Sequence, residues 1–391
     1  MMQAAERSEG EQAGFSSQQQ SRQRQRNPLL GPEKAVAGWC VALALASALA
    51  CADDAPPLSA LDSGECETCS ITLERVAVLG SREDTIWPTQ YSSVTQTRSG
   101  NFIMGALDHP VTHGIYDDEG TLLRTFGRYG MGPGEYSSPM TRWMRGPGDS
   151  VGVVDLMSGR WTLVDENGGV IRTQELTSST FHQMIWLEDG RRVMVADIHS
   201  PDLIGKPLHV LDEDAGIVAS FAEMDTYRNE LDGWRFIAPS SAGGVWVALY
   251  NRYRIEHYDA DLTLTRVLEF EPDWFLPWDH TPMPGEQFPP AMAGLWEEDG
   301  LLWVLVSTPD RRWDPAAANI RPETRRERDL TRERDAVIEV IELESGSVVA
   351  HQRFDEYLLK IEGVDLLYSK AKRPVVGGFE FTVFFPTLNR R

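Results

Sequence analysis

Short apolar runs separated by polar turns fill the chain from about residue 70 onward. Phe102-Ile103-Met104, Val151-Gly152-Val153-Val154, Val193-Met194-Val195 and Val245-Trp246-Val247 are four such runs. Each follows a turn sequence: Ser99-Gly100-Asn101, Gly146-Pro147-Gly148-Asp149, Glu188-Asp189-Gly190 and Ser241-Ala242-Gly243-Gly244. Apolar runs of this length bounded by Gly, Pro, Asn and Asp predict strands joined by hairpins.

A second hairpin signal recurs behind each of these. The segments Tyr116–Leu122, Val164–Val170, Leu211–Ile217 and Tyr258–Leu264 align, with Asp117, Asp165, Asp212 and Asp259 in one column, at steps of 48, 47 and 47 residues. Two hairpins per repeat make four strands, which is the blade of a β-propeller, whose repeats run to about 40–50 residues. A fifth blade is expected from about Ala291 through 301–306, 336–343 and 347–353, with an insertion at about 309–334. The sixth, from near Tyr357 to Phe379–Pro386, shows only three strands, and Ile71–Leu79 is expected to supply the fourth, since pairing the two ends of the chain removes exposed edges. The fold class is therefore all-β, a six-bladed propeller over residues 70–388 closed by an N-terminal strand.

Residues 126–136 read FGRYGMGPGEY and residues 151–168 read VGVVDLMSGRWTLVDENG. Both resemble the NHL-type six-bladed propellers of bacterial lipoproteins, in which a Gly-rich linker joins blades and a strand ending in Val-x-Asp is followed by Arg. The resemblance carries over to Asp155 and Arg160. The fourth blade keeps Arg254 but has Leu249 in the aspartate position. A propeller resemblance of this kind specifies architecture and leaves activity open.

Composition narrows the partners. The net charge is −22 and the hydrophobic content 41%. Such an acidic surface repels phosphate backbones, so no nucleic-acid partner is expected. Residues 1–34 are polar and expected to be disordered. Ala35 to Ala50 is an uncharged apolar stretch, shorter than the roughly 20 residues of a spanning helix. With its basic leader it predicts a secretory signal over residues 35–51. Ala48-Leu49-Ala50-Cys51 resembles a lipobox, with Cys51 as the lipidated residue; Ala48-x-Ala50 also suits ordinary signal peptidase. Either way the product is exported, to a bacterial cell envelope or beyond, and touches membrane only through a lipid on Cys51. Residues 52–69 are expected to be a flexible spacer. Cys66 and Cys69 lie too few for a closed zinc site and predict a local disulfide in an oxidising compartment.

In a propeller the loop between a blade's second and third strands shares a face with the linker between blades. That face would collect Asp108, His109 and His113, then Asp155 with Arg160, Asp197 with His199, and Asn251 with Arg254, beside linkers 127–139 and 272–290. For Asp155 and Arg160 a second reading is a charge-assisted hydrogen bond that braces the loop. His109 and His113 are four apart on a loop, without the helix and glutamate of a zincin, and no metal ligand is assigned. No Ser-His-Asp order, nucleophile elbow or P-loop occurs, so no catalytic residue is assigned either. The insertion reads as a solvated excursion or a lid, and the linker with Trp274 and Trp278 as packing across a blade end. The expectation is a monomeric binding or scaffolding module for an unidentified protein or small molecule, without cofactor. The alternative is a lactonase- or lyase-like enzyme holding calcium in the central channel.

Overall fold

Each hairpin pair folds as one antiparallel sheet of four strands. The computed structural model describes residues 59–60, 69–80, 88–89, 92–105, 111–137, 141–176, 180–198, 200–224, 230–280, 286–313, 333–372 and 378–390. Two strands come first, β1 (Ser59–Ala60) and β2 (Cys69–Leu79). Blade 1 is β3 (Val94–Gln96), β4 (Phe102–Met104), β5 (His113–Tyr116) and β6 (Leu122–Phe126). The parallel pair β7 (Arg128–Tyr129) and β8 (Glu135–Tyr136) lies in the linker that follows. Blade 2 is β9 (Thr141–Arg145), β10 (Val151–Asp155), β11 (Arg160–Val164) and β12 (Val170–Glu175). Blade 3 is β13 (Thr180–Trp186), β14 (Arg192–Asp197), β15 (Leu208–Leu211) and β16 (Ile217–Phe221).

A single helical turn, α1 (Glu230–Gly233), leads into blade 4: β17 (Arg235–Pro239), β18 (Val245–Leu249), β19 (Arg254–Tyr258) and β20 (Leu264–Glu269). Blade 5 is β21 (Ala291–Glu298), β22 (Leu301–Pro309), β23 (Arg334–Glu342) and β24 (Val348–Phe354). Blade 6 is β25 (Leu358–Lys360), β26 (Leu367–Lys372) and β27 (Phe379–Arg390), with β2 as its outer strand. The pairing of β2 with β27 runs from Cys69 opposite Arg390 to Leu79 opposite Phe381. The chain is a six-bladed β-propeller with four antiparallel strands per blade and almost no helix.

The column of aspartates explains why the repeat keeps its spacing. In each outer hairpin one carboxylate oxygen accepts two backbone N–H groups, from residues two and four further on. Asp117 takes Glu119 and Thr121 at 3.1 and 2.7 Å, and Asp165 takes Asn167 and Gly169 at 2.8 and 2.7 Å. Asp212 and Asp259 repeat the pattern at 2.7 to 3.0 Å. An Asp side chain that caps its own turn stabilises a hairpin without help from the rest of the fold. The fourth residue of each turn has positive φ, at Gly120, Gly168, Ala215 and Leu262.

The core lies between blades. One apolar cluster occupies each seam, and the aromatic and β-branched side chains of neighbouring sheets interlock there. The seam between blades 6 and 1 joins Leu79, Tyr368, Phe381 and Val383 to Val94, Phe102, Met104 and Tyr116, all buried. Contacts also run from the first strand of one blade to the first strand of the next, from β3 to β9, β13, β17, β21 and β25. Those strands therefore surround a channel.

Of the expected spacer, Ser59–Ala60 forms a parallel strand against β20 and Cys69 opens β2. Cys69 is disulfide-bonded; Cys66 lies outside the described residues. So do residues 1–34, the 35–51 segment with Cys51, and most of the insertion.

Candidate functional site

The mouth of the channel is a cavity of about 490 Å³. The mouth lies on the face where linkers enter the first strands. Blade 2 contributes Arg142 and Trp143, blade 3 His182 and Gln183, and blade 4 Trp234 and Tyr250. Blade 5 adds Ser307 and Arg334, and blade 6 Tyr357, Lys360, Glu362, Tyr368 and Lys370. A volume of this size suits a small molecule; binding pockets commonly span about 300–1,000 Å³.

Charge is distributed unevenly along the channel. Among the described residues four basic side chains face the mouth, Arg142, Arg334, Lys360 and Lys370, and one carboxylate, that of Glu362. Arg235 also borders it but turns into its own blade, donating to the Trp234 carbonyl at 2.9 Å. Arg142 is exposed into the channel, and among the described residues no hydrogen bond or ion pair holds its guanidinium. Its field reaches His182 in blade 3 and Tyr357, Glu362 and Lys370 around blade 6. Arg334 donates to Ser307 Oγ at 2.8 Å and lies 3.9 Å over the Phe288 ring.

A polar bridge links blades 3 and 6. A bulge in β13 sets Gln183, whose amide exchanges two 2.8 Å hydrogen bonds with the backbone of Ile237. The same amide donates to Glu362, tying blade 3 to blade 6 across the channel. Lys360 and Glu362 also line a second cavity of about 380 Å³ at the opposite end. That end is acidic, with Glu297, Glu298 and Asp365 beside Arg145.

Burial acts on the titrating groups. It lowers His182 to about 4, with Arg142 adding to the shift, so the ring is neutral. Burial, again with Arg142, lowers Lys370 to about 7. Desolvation pushes Lys360 down and Glu362 up, and their mutual attraction opposes both shifts.

The residues singled out by the repeat sit elsewhere. Asp155 is buried; its carboxylate accepts Ser137 N at 2.6 Å and Ser137 Oγ at 2.8 Å, and also takes the N–H groups of Met157 and Ser158. Arg160 donates to the carbonyls of Met131 and Glu135. Both grip the Gly-rich linker, and neither bonds to the other. His113 is buried against Phe126, Tyr136 and Trp143, with ring centroids 4.4 to 5.1 Å away, and desolvation lowers it to about 3. Asp197 is buried beside Gly233. Asn251 donates to the Trp278 carbonyl at 2.7 Å, and Arg254 bonds Glu256 and Glu269 at 2.7 and 2.9 Å. Asp108, His109 and His199 lie outside the described residues. Among the described residues these side chains do not converge on one site. Those described bond to strands and linkers of the fold.

The channel residues were missed. Their signal was present, as polar or aromatic interruptions in the first strand of a blade, such as Arg142 in Thr141–Arg145 or His182 in Thr180–Trp186. A larger cavity of about 790 Å³ lies beside blade 5, near Trp274 and His351. Most of its charges are matched, Arg353 to Asp335 at 2.6 Å, Arg312 to Asp310 at 3.2 Å and His351 to Glu339 at 2.6 Å, while Arg311 has no ion pair among the described residues.

No family model matches the chain, and no curated protein is similar to it in sequence. Solved structures are similar in fold. A member of the DUF4221 family from Bacteroides vulgatus aligns at TM-score 0.56 and 9% identity, over 83% of this chain and 99% of that one. A Bacteroides fragilis protein named as exported aligns at TM-score 0.52 and 10% identity, over 85% and 99%. At these identities the likeness is one of fold.

Proposed function

We propose that this protein is an exported, NHL-type propeller of the bacterial cell envelope that binds a small molecule in the mouth of its central channel. The observation that carries the reading is the cavity itself, to which five of the six blades bring charged or aromatic side chains. Blade-to-blade differences at these positions can be specific, whereas the aspartate turns cannot. Among the described residues no helix is long and apolar enough to cross a membrane, and a lipid on Cys51 would supply the tether.

The calcium-dependent alternative is less well supported. Calcium takes about 6–8 oxygen ligands. The described wall of the mouth offers one carboxylate, Glu362, already engaged by Gln183, among four cations that repel a divalent ion. Among the described residues no three His, Cys, Asp or Glu converge.

The test uses the full soluble domain and an Ala293→Trp variant, in which a large ring fills the cavity from β21. Both are incubated with a small-molecule extract of the producing cell's envelope and examined by native mass spectrometry. A compound retained by the native protein and lost from the filled variant is expected. Equal retention by the two, or by neither, would overturn the reading.

A further inference from the structure

Four features of the channel mouth bear on what enters it. The protein as a whole carries −22, so a cationic funnel is not inherited from its composition. Arg142 is exposed, faces the cavity, and is held by no acid among the described residues. An unmatched guanidinium facing a cavity is a site for an oxyanion, since its planar donors fit carboxylate or phosphate bidentately. The opposite mouth is acidic, through Glu297, Glu298 and Asp365, so the potential along the channel falls from one face to the other and draws anions to the cationic end.

The fourth feature is aromatic. His182 and Trp234 have ring centroids 4.9 Å apart, as do Trp234 and Tyr250. Tyr250 continues to Trp278 at 5.4 Å and Trp278 to Phe288 at 5.6 Å, where Arg334 lies over the ring. Of this ladder His182, Trp234 and Tyr250 line the mouth, Trp278 and Phe288 back them, and the row ends at a cation that lines it again. The opposite wall carries Arg142, Lys370 and Tyr357. His182 is neutral and serves there as a flat polar ring rather than a charge.

Resting on the channel reading above, we infer that the ligand is an anionic small molecule bearing a flat ring. Its carboxylate or phosphate is held between Arg142 and Arg334, and its ring lies along Trp234 and Tyr250. The walls supply both halves of such a molecule, charge from blades 2 and 5 and ring faces from blade 4. A divalent cation or a cationic amine meets repulsion from the same groups.

Three probes of one shape and different charge test this by calorimetry: phenyl phosphate, benzyl alcohol and benzylamine. Phenyl phosphate is expected to bind, with affinity reduced about tenfold or more in Arg142→Gln and in Arg334→Gln and abolished in Ala293→Trp. Arg142 has no partner to lose among the described residues, so Arg142→Gln should melt with the native protein. Inorganic phosphate should compete only weakly, because it lacks the ring. Benzyl alcohol or benzylamine binding as tightly as phenyl phosphate, and lost in Ala293→Trp, would overturn the anionic class while leaving the channel reading intact. Phenyl phosphate binding unaltered in both arginine variants and in Ala293→Trp would place the anion elsewhere and overturn the inference. So would no binding of phenyl phosphate at all.

Discussion

Asp155 and Arg160 stand directly opposite one another across the β10–β11 hairpin, yet each bonds the linker rather than its neighbour. Asp155 accepts from Ser137 at 2.6 and 2.8 Å, and Arg160 donates to the Glu135 carbonyl at 3.0 Å. An acid and a base closing one hairpin thus become a two-pronged clamp on the Gly-rich segment that carries the chain from blade 1 to blade 2.

That clamp predicts a loss of stability rather than of binding. Asp155→Ala leaves the half-buried Ser137 N–H and the Met157 and Ser158 N–H groups without their acceptor. A lost hydrogen bond to a charged group costs about 1.5–3 kcal/mol. Urea unfolding of Asp155→Ala should show a loss of at least that size. Its affinity for any channel ligand should stay within a factor of two or so, as expected for a site with no shared partners. A variant that melts normally but binds weakly would return Asp155 to the ligand site.

His113 should make the fold acid-sensitive in a defined window. Burial lowers its folded-state value to about 3, below the unfolded value of 6.5. Above about 6.5 the ring is neutral in both states and has no effect on pH dependence. Below it the unfolded chain takes up a proton that the folded one refuses, so stability falls by up to about 1.4 kcal/mol per pH unit until the pH nears 3. His113→Gln removes this slope. Denaturant midpoints of the two proteins at pH 7.5 and pH 5 provide the check, and parallel losses in both would show that other groups set the acid limit.

The outer hairpin of blade 1 touches the strand that completes blade 6. Gly120 has φ +94°, and a Cβ there would lie 2.4 Å from the carbonyl oxygen of Val78 in β2. Gly100, with φ +99°, has open space around it. Both Gly→Ala changes meet the same backbone strain, about 1–3 kcal/mol. Gly120→Ala must also push the β2 backbone away. Thermal unfolding should therefore rank Gly120→Ala well below Gly100→Ala, and equal melting temperatures would mean that β2 does not pack against that turn.

Export is tested at Cys51. Cys51→Ser should abolish labelling by radioactive palmitate in cells and release the protein from the membrane fraction. Labelling that survives the substitution would rule out lipidation at this residue.

The propeller was legible because its signals are local. The Asp117, Asp165, Asp212 and Asp259 turns are closed by bonds spanning two to four residues, so hairpin chemistry and spacing appear in any single repeat. Even the fourth strand of blade 6 could be anticipated, since a three-stranded end leaves an edge to cover. The candidate site was not legible. Arg142, Trp234, Arg334 and Lys370 lie far apart in the chain and meet only because the ring brings its blades to one axis. Nor could the sequence tell that Asp155 and His113 would be buried in linker and seam. Local bonding decided the blade. Which side chains share the channel, and that Arg142 meets no acid there among the described residues, was decided by closure of the whole ring.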